Sequence, residues 1–394
     1  MTVHTRPHPN PPLAKRLFAA GGPGLREHHA RFGQAPEPTA EALIAALDAA
    51  GLTGRGGAGF PTARKIASIT RPNPVVVGNA AEGEPLSDKD ATLLARSPHL
   101  VLDGLQIAAH ALAADKVYLY LPNRMAAAAK RALMERADAG LDPRRVTIVE
   151  APDTFVAGEE SAVLRRIEGG PPLPRDRRVP TSASGFRGRP TLVSNVETLA
   201  HVALIARYGH RWFRSVGDVA EPGTMLISVS GAVARRCVLD LPTGTSLIQV
   251  LAHGGVHDLR SVRAVLIGGY HGGWIPTTAL AGARLSRSGL ADFGASPGAG
   301  IVHALSIHEC GLARTADILA YLAEQGAGQC GPCRHGLPRL ARQFDHLAYG
   351  RVTDGLLDEL HRTLGLVENR GACRHPDGAV RLARSALKAF AGNP

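Results

Sequence analysis

Aromatic side chains are scarce. Phe, Trp and Tyr together make up 4% of the chain, so a ring standing in a polar loop is informative. Long apolar runs are missing too. No stretch reaches the roughly 18 residues that a membrane span needs, which argues against direct membrane insertion. Residues 1–16 are polar and proline-rich, without the apolar segment of a secretory signal. The only cysteines are Cys237, Cys310, Cys330, Cys333 and Cys373, an odd set clustered late in the chain. That pattern argues against a secreted disulfide scaffold and points to a cytoplasmic chain that uses thiols as ligands. Acidic residues are outnumbered, 34 against 45 Lys and Arg, for a formal charge of +11. The arginines are scattered and no basic stripe alternates with aromatics, so the sequence expects no nucleic-acid partner. The charge fits a surface that attracts an acidic protein, or a plain compositional preference for arginine.

Glycine, by contrast, is abundant. Four of the first six residues of Gly54-Arg55-Gly56-Gly57-Ala58-Gly59-Phe60-Pro61-Thr62-Ala63-Arg64-Lys65 are glycine. They contribute nothing to a core, but they permit positive φ and let a ligand approach the backbone. Main-chain N–H groups in such a loop can form an anion-binding nest. Phe60 adds a π-face and Lys65 a mobile charge, which favours a nucleotide or flavin phosphate site over a plain surface loop. The segment before it, 39–50, has helical spacing. The loop is therefore not the dinucleotide fingerprint, which follows a strand.

A chain of 394 residues with 44% apolar content can bury two or three domains. The valines Val75–Val77 suit a strand buried on both faces, ending in the polar run Asn79-Ala80-Ala81-Glu82-Gly83-Glu84-Pro85. Helix over 99–114, strand over 116–121, helix over 125–139 and strand over 146–149 follow. This alternation predicts a parallel α/β sheet, with ligands beyond the carboxyl ends of its strands. Two further polar clusters are Phe155-Val156-Ala157-Gly158-Glu159-Glu160-Ser161 and the stretch from Gly185 to Thr198. Glu159 and Glu160 could equally be capping charges at a helix start. Residues 224–276 alternate strands with one helix over 246–253, suggesting a small β-grasp module in which Cys237 is an ordinary cysteine. From Thr315 onward the apolar residues fall at helical spacing, as in a bundle. This part holds Cys330-Gly331-Pro332-Cys333 and, much later, Cys373. A thioredoxin-type pair would need a βαβ setting. A zinc site fits the repeated triplets Cys333-Arg334-His335 and Cys373-Arg374-His375, and unliganded buried thiols are also compatible.

Taken in order, Gly-Arg-Gly-Gly-Ala-Gly-Phe-Pro-Thr, Asn-x-x-Glu-x-Glu-Pro, Gly-Glu-Glu and Asn-Val-Glu-Thr resemble the flavin- and NADH-binding subunit of respiratory complex I. Its relatives include subunits of NAD-linked hydrogenases and formate dehydrogenases. The resemblance runs over about residues 35–390. It implies an N-terminal extension (1–35), an FMN- and NADH-binding α/β domain (36–222), a β-grasp domain (223–300) and a helical iron–sulfur domain (301–394). It implies FMN held by Gly54, Arg55, Gly56, Gly57, Gly59, Lys65, Asn79, Glu82, Gly158, Glu159, Glu160, Asn195 and Thr198, with Glu84 and Glu160 near NAD(H). It also implies an iron–sulfur cluster on Cys330, Cys333 and Cys373. Ala327 stands where the family has a further cysteine, so the cluster is [3Fe–4S], or [4Fe–4S] with a non-cysteine corner. Other departures are Ala81 for an aspartate, Phe155 for a tyrosine, and Ser68 and Pro180 for two phenylalanines that stack adenine. The function implied is oxidation of a nicotinamide cofactor through FMN to the cluster, and on to a ferredoxin-like or other acidic electron-transfer protein in a larger complex. The alternative is an electron-transfer or assembly subunit that no longer oxidises NADH. No catalytic proton-relay residue can be assigned from the sequence.

Overall fold

The computed structural model describes residues 15–176 and 179–390. Residues 1–14, part of the expected extension, lie outside the described residues.

Four parallel strands form the first sheet: β1 (Val75–Asn79), β2 (Lys116–Pro122), β3 (Val146–Ala151) and β4 (Thr191–Asn195), in the order β3-β2-β1-β4. The three valines of β1 are fully buried because the sheet is covered on both faces. Helices Pro98–Ala111 and Val196–Phe213 pack together on one face. Gly104 permits this: a Cβ there would stand 1.9 Å from the Leu199 carbonyl oxygen. Strand order reverses at β1, since β2 lies on one side and β4 on the other. The crevice beyond the carboxyl ends of β1 and β4 is therefore the topological switch point, where ligands of such sheets bind. Asn79 and Asn195 end these two strands as register partners.

Residues 15–35 are integral to this core. Leu17, Phe18 and Phe32 are buried in it. The Arg16 guanidinium donates to the carbonyls of Phe213 (2.9 Å) and Trp212 (3.0 Å), capping the long helix. Buried Asp103 gathers His28, Arg136 and Arg207, tying helix Leu25–Phe32 to the sheet helices.

The second sheet is mixed: β5 (Thr224–Gly231), β6 (Cys237–Pro242), β7 (Val262–Ile267), β8 (Gly273–Pro276) and β9 (Ile301–Ser306), in the order β6-β5-β9-β7-β8. Helix Leu247–His253 contributes Leu247, Val250 and Leu251 to its core. The sequence reading missed β8 and β9. Because β9 is the central strand, the boundary drawn at 300 has to move past Ser306. The remaining chain is helical: Gly311–Glu324, Leu337–Ala348, Leu356–Val367 and His375–Phe390 share an apolar core. A single π-turn, Pro332–Gly336, precedes the second of these and contains Cys333. Such turns recur at functional sites. The α/β class with a second small domain and a helical C-terminus is thus the one implied by the sequence. Among the described residues no helix is long and apolar enough to cross a membrane.

Candidate functional site

At the switch point lies a cleft of about 1300 Å³. It is walled by the glycine loop, the loops after β1, β3 and β4, segments of the second sheet, and helix His375–Phe390. The glycine loop is closed by the Gly54 N–H donating to the Phe60 carbonyl (2.9 Å). Gly57 (φ +108°) and Gly59 (φ +65°) take backbone that L side chains avoid. Arg287 reaches over from the second domain and donates to the Gly57 carbonyl (3.0 Å). It fills the space a side chain at position 59 would need. Gly54, Gly56, Gly57, Gly59 and Lys65 all line the cleft.

Arg55 does not. Its side chain turns into the junction with the second sheet, donating to the Thr224 carbonyl (3.1 Å), while its backbone N–H donates to the Thr198 hydroxyl (2.8 Å). Arg55 begins a turn (55–58) that directs its side chain to the second sheet while the glycine backbone faces the cleft. Grouping Arg55 with the ligand-facing residues is corrected accordingly. Thr198 itself lines the cleft.

Asn79 and Asn195 shape the floor. The Asn79 amide donates to the Gly158 carbonyl (3.0 Å), and Asn195 caps helix Val196–Phe213 through the Glu197 N–H (3.0 Å). Glu82 accepts from the Asp90 and Ala91 N–H groups, at 2.8 and 3.1 Å, at the start of helix Lys89–Arg96. Burial, then the charge of Asp90, raises its pKa. Glu84 accepts from the Tyr270 N–H (2.8 Å), but its other oxygen is buried without a partner. Burial pushes its pKa up to about 8. Beneath the floor is a buried charge cluster that sequence reasoning missed. The Lys89 ammonium lies 2.7 Å from Asp90, 2.9 Å from Glu197 and 3.2 Å from the Asn195 side-chain oxygen Oδ1. Lys89 and Asp90 follow the acidic loop within a few residues, and Glu197 belongs to the Asn-Val-Glu-Thr motif. That proximity was the only available signal.

Gly158, Glu159 and Glu160 also reach the cleft. Glu159 caps helix Glu160–Ile167, accepting from the Ser161 and Ala162 N–H groups at 2.9 and 3.1 Å, so the capping alternative holds for it. Glu160 is instead paired with Lys65 (3.0 Å) and with the Thr181 hydroxyl (2.8 Å). Phe60, 51% exposed, presents its ring at the rim, with the Arg64 guanidinium 5.9 Å from the ring centroid. Ser68 and Pro180 are exposed and do not line the cleft. Phe155 lines it and packs on His271 (4.6 Å) and His375 (5.4 Å).

Cys373 stands where the cleft meets the helical domain, and Arg374 and His375 follow it along the wall. Cys330 and Cys373 are close enough for their charges to bear on Cys333, whose thiol is pushed up to about 12 by burial and then by Cys330. Among the described residues no three Cys, His, Asp or Glu side chains converge tightly enough for a single metal ion. Both ring nitrogens of His375 are engaged, by the Leu322 carbonyl (2.7 Å) and by His271 (3.0 Å), and His335 is exposed. His375 is therefore not free to complete a tetrahedral zinc set.

Residues 47–204 match the family described as the Nuo51 FMN-binding domain, and 313–393 match the NADH-ubiquinone oxidoreductase-F iron–sulfur binding region. The chain is 30% identical to an NADH-quinone oxidoreductase F-type subunit of Rhizobium meliloti, over 95% of this chain and 91% of that one. It is 31% identical to the corresponding F-type subunit of Escherichia coli, over 86% of this chain and 81% of that one. The chain belongs to the family of NADH-quinone oxidoreductase F-type subunits. A chain in the crystal structure of an NAD+-reducing [NiFe]-hydrogenase in the H2-reduced state superposes on it with a TM-score of 0.81 at 32% identity. The match covers 92% of this chain and 63% of the hydrogenase chain.

As a member of this family the chain carries an FMN-binding domain and an iron–sulfur binding region, and it is an oxidoreductase of the NADH dehydrogenase type. The cleft fits a flavin. It is roomy, and the Thr62 hydroxyl and one Glu84 oxygen are buried at its wall with no protein partner. Buried polar atoms normally find one. The cysteine site fits a cluster better than one ion. In a cluster each thiolate binds a different iron, so the sulfurs stand further apart than the ligands of one metal, and soft sulfur donors suit iron–sulfur chemistry.

Proposed function

We propose that the chain oxidises a nicotinamide dinucleotide in the cleft and delivers the electrons singly, by way of a cluster at Cys330, Cys333 and Cys373, to an electron-transfer protein. The acceptor is ferredoxin-like or another acidic protein, within a larger assembly at the cytoplasmic side. One observation carries this reading: the glycine loop, the ends of β1 and β4, the Gly158–Glu160 turn and the helix that follows Cys373 all open onto the same cleft. FMN, when bound, converts between a two-electron hydride donor and one-electron acceptors.

The chain's own groups then have these tasks. The glycine-loop N–H groups would hold the flavin phosphate. Lys65, held by Glu160 and by the Val193 carbonyl (2.6 Å), presents positive charge at a fixed place beside the loop. Asn79 and Asn195, at the cleft floor, would bind the flavin's polar edge. Glu84, with a pKa of about 8, holds a proton at neutral pH. Its unpartnered oxygen can donate a hydrogen bond to a neutral acceptor such as a carboxamide. Phe60 supplies a stacking surface for a planar base.

Ser68 and Pro180 favour the second reading, an electron-transfer or assembly subunit without nicotinamide oxidation, because they offer no ring to the cleft. One experiment separates the two: an absorbance spectrum of the purified protein under argon, before and after NADH. Flavin bands bleached by NADH support the first reading. Bands bleached by dithionite but not by NADH support the second. Absence of flavin refutes both.

A further inference from the structure

The triplets Cys333-Arg334-His335 and Cys373-Arg374-His375 place an arginine immediately after two of the three clustered cysteines; Arg334 stands outside the cleft and Arg374 at its wall. Arg334, Arg370 and Arg374 are all exposed, and the Arg374 side chain is 87% accessible. Arg334 and Arg370 make no ion pair among the described residues. From Arg374 the row continues along the last helix through Arg381, Arg384 and Lys388, which share one exposed face at i, i+3, i+7 spacing and border the open mouth of the cleft. Carboxylates beside this face include Glu159, whose charge acts on Cys373, together with Glu368 and Asp377. Glu368 is paired with Arg384 (2.9 Å) and Asp377 with Arg374 (3.0 Å), so cations remain in excess. At ~1.5 Å per residue the row from Arg374 to Lys388 extends about 21 Å, comparable to the contact a small globular partner makes.

We propose that this face, Arg334, Arg370, Arg374, Arg381, Arg384 and Lys388, is the docking surface for a small one-electron carrier protein with an acidic surface. The inference rests on the function proposed above and names its acceptor side. Solvated cationic groups steer and orient an oppositely charged protein without fixing it tightly, as repeated electron delivery requires. Two of them directly follow Cys333 and Cys373, where a carrier's redox centre has to come close. The balance is one dinucleotide oxidised by two electrons, two carriers each reduced by one, and one proton released. Arg374, Arg381, Arg384 and Lys388 also border the cleft, but Arg334 and Arg370 stand outside it on the exposed surface, where only a partner larger than a small anion spans the whole set.

The probe is a plant-type [2Fe–2S] ferredoxin, titrated into the holoprotein by calorimetry at 20 and 300 mM NaCl. Horse cytochrome c serves as the basic counterpart. This arm needs no turnover, so it stays readable even if NADH fails to reduce the flavin. Stopped-flow reduction of the ferredoxin by photoreduced protein is the kinetic arm. Ferredoxin binding should weaken at least ~10-fold at the higher salt. Arg334→Glu/Arg370→Glu, at the two positions outside the cleft, should weaken binding and slow transfer ~10-fold at low salt, with circular dichroism, iron, flavin and ferricyanide reduction unchanged. Salt-independent binding, an unaffected variant, or equal binding of cytochrome c would overturn the proposal. So would a variant whose main defect is weaker NADH binding, which would assign the face to a small anion.

Discussion

Replacing Lys89 by Met tests the cleft floor directly. Lys89 is 2% exposed, and its ammonium is held by Asp90, Glu197 and the Asn195 side-chain oxygen Oδ1. Burial works against its charge, but Asp90 and Glu197 outweigh burial and hold its pKa above the ordinary lysine range. Removing one member of such a buried set costs about 3–5 kcal/mol, because it leaves a desolvated carboxylate uncompensated. The residual partners are good: Asp90 keeps the Asn195 amide (2.6 Å) and Glu197 keeps the Leu226 N–H (2.8 Å). The lower end, about 3 kcal/mol, is expected. Hydrogen exchange in helix Val196–Phe213, which carries Glu197, should then speed up by ~100-fold at pH 8. The sign of the pH dependence follows from Glu197. Its pKa is already raised by burial, with Lys89 pulling it down. Without Lys89 it rises further, and a carboxyl with a raised folded pKa loses its stabilising contribution as pH climbs through that value. The deficit should therefore shrink at pH 5, and Glu197→Gln in the Lys89→Met background should recover part of it at pH 8. A deficit under ~10-fold, or one equal at both pH values, refutes this account of the floor.

Gly57→Val forces a branched residue to φ +108° and aims its Cβ at Gly298 and Ala299, 3.8 Å away. The strain is about 1–3 kcal/mol, and flavin measured by absorbance after purification should be lost; full occupancy would displace FMN from this loop. NADH should saturate the protein poorly in stopped-flow bleaching, and Ser68→Phe with Pro180→Phe should tighten it at ~0.5–1.5 kcal/mol per ring, roughly 5- to 150-fold for the pair. Tight binding by the unmodified chain contradicts this. Cys373→Ala should lower iron and sulfide content, whereas Ala327→Cys should give a more oxygen-stable cluster with a changed paramagnetic resonance signal. Zinc without sulfide in anaerobic protein would reject the assignment.

The sequence by itself determined the local structure and the donor inventory. Val75–Val77 made a buried strand because an uninterrupted apolar run suits a sheet covered on both faces, and the regularly spaced leucines after Thr315 made helices because their period is helical. It also placed the ordered motifs whose loops meet in the cleft. Short or polar strands were not legible: β4 ends in Ser194-Asn195 and β8 has only Gly273–Pro276, so neither carries a periodic signal. Only the tertiary structure decided which way long side chains turn. Arg55 sits among the ligand-facing glycines in the motif, yet its guanidinium is drawn to carbonyls of the second sheet. The role of Lys89 was settled the same way. A lysine can be buried only where folding brings Asp90 and Glu197 within hydrogen-bond reach, and Glu197 arrives from a distant segment. Periodicity and backbone preference act over a few residues, whereas the compensation of buried charge depends on partners that only the closed fold supplies.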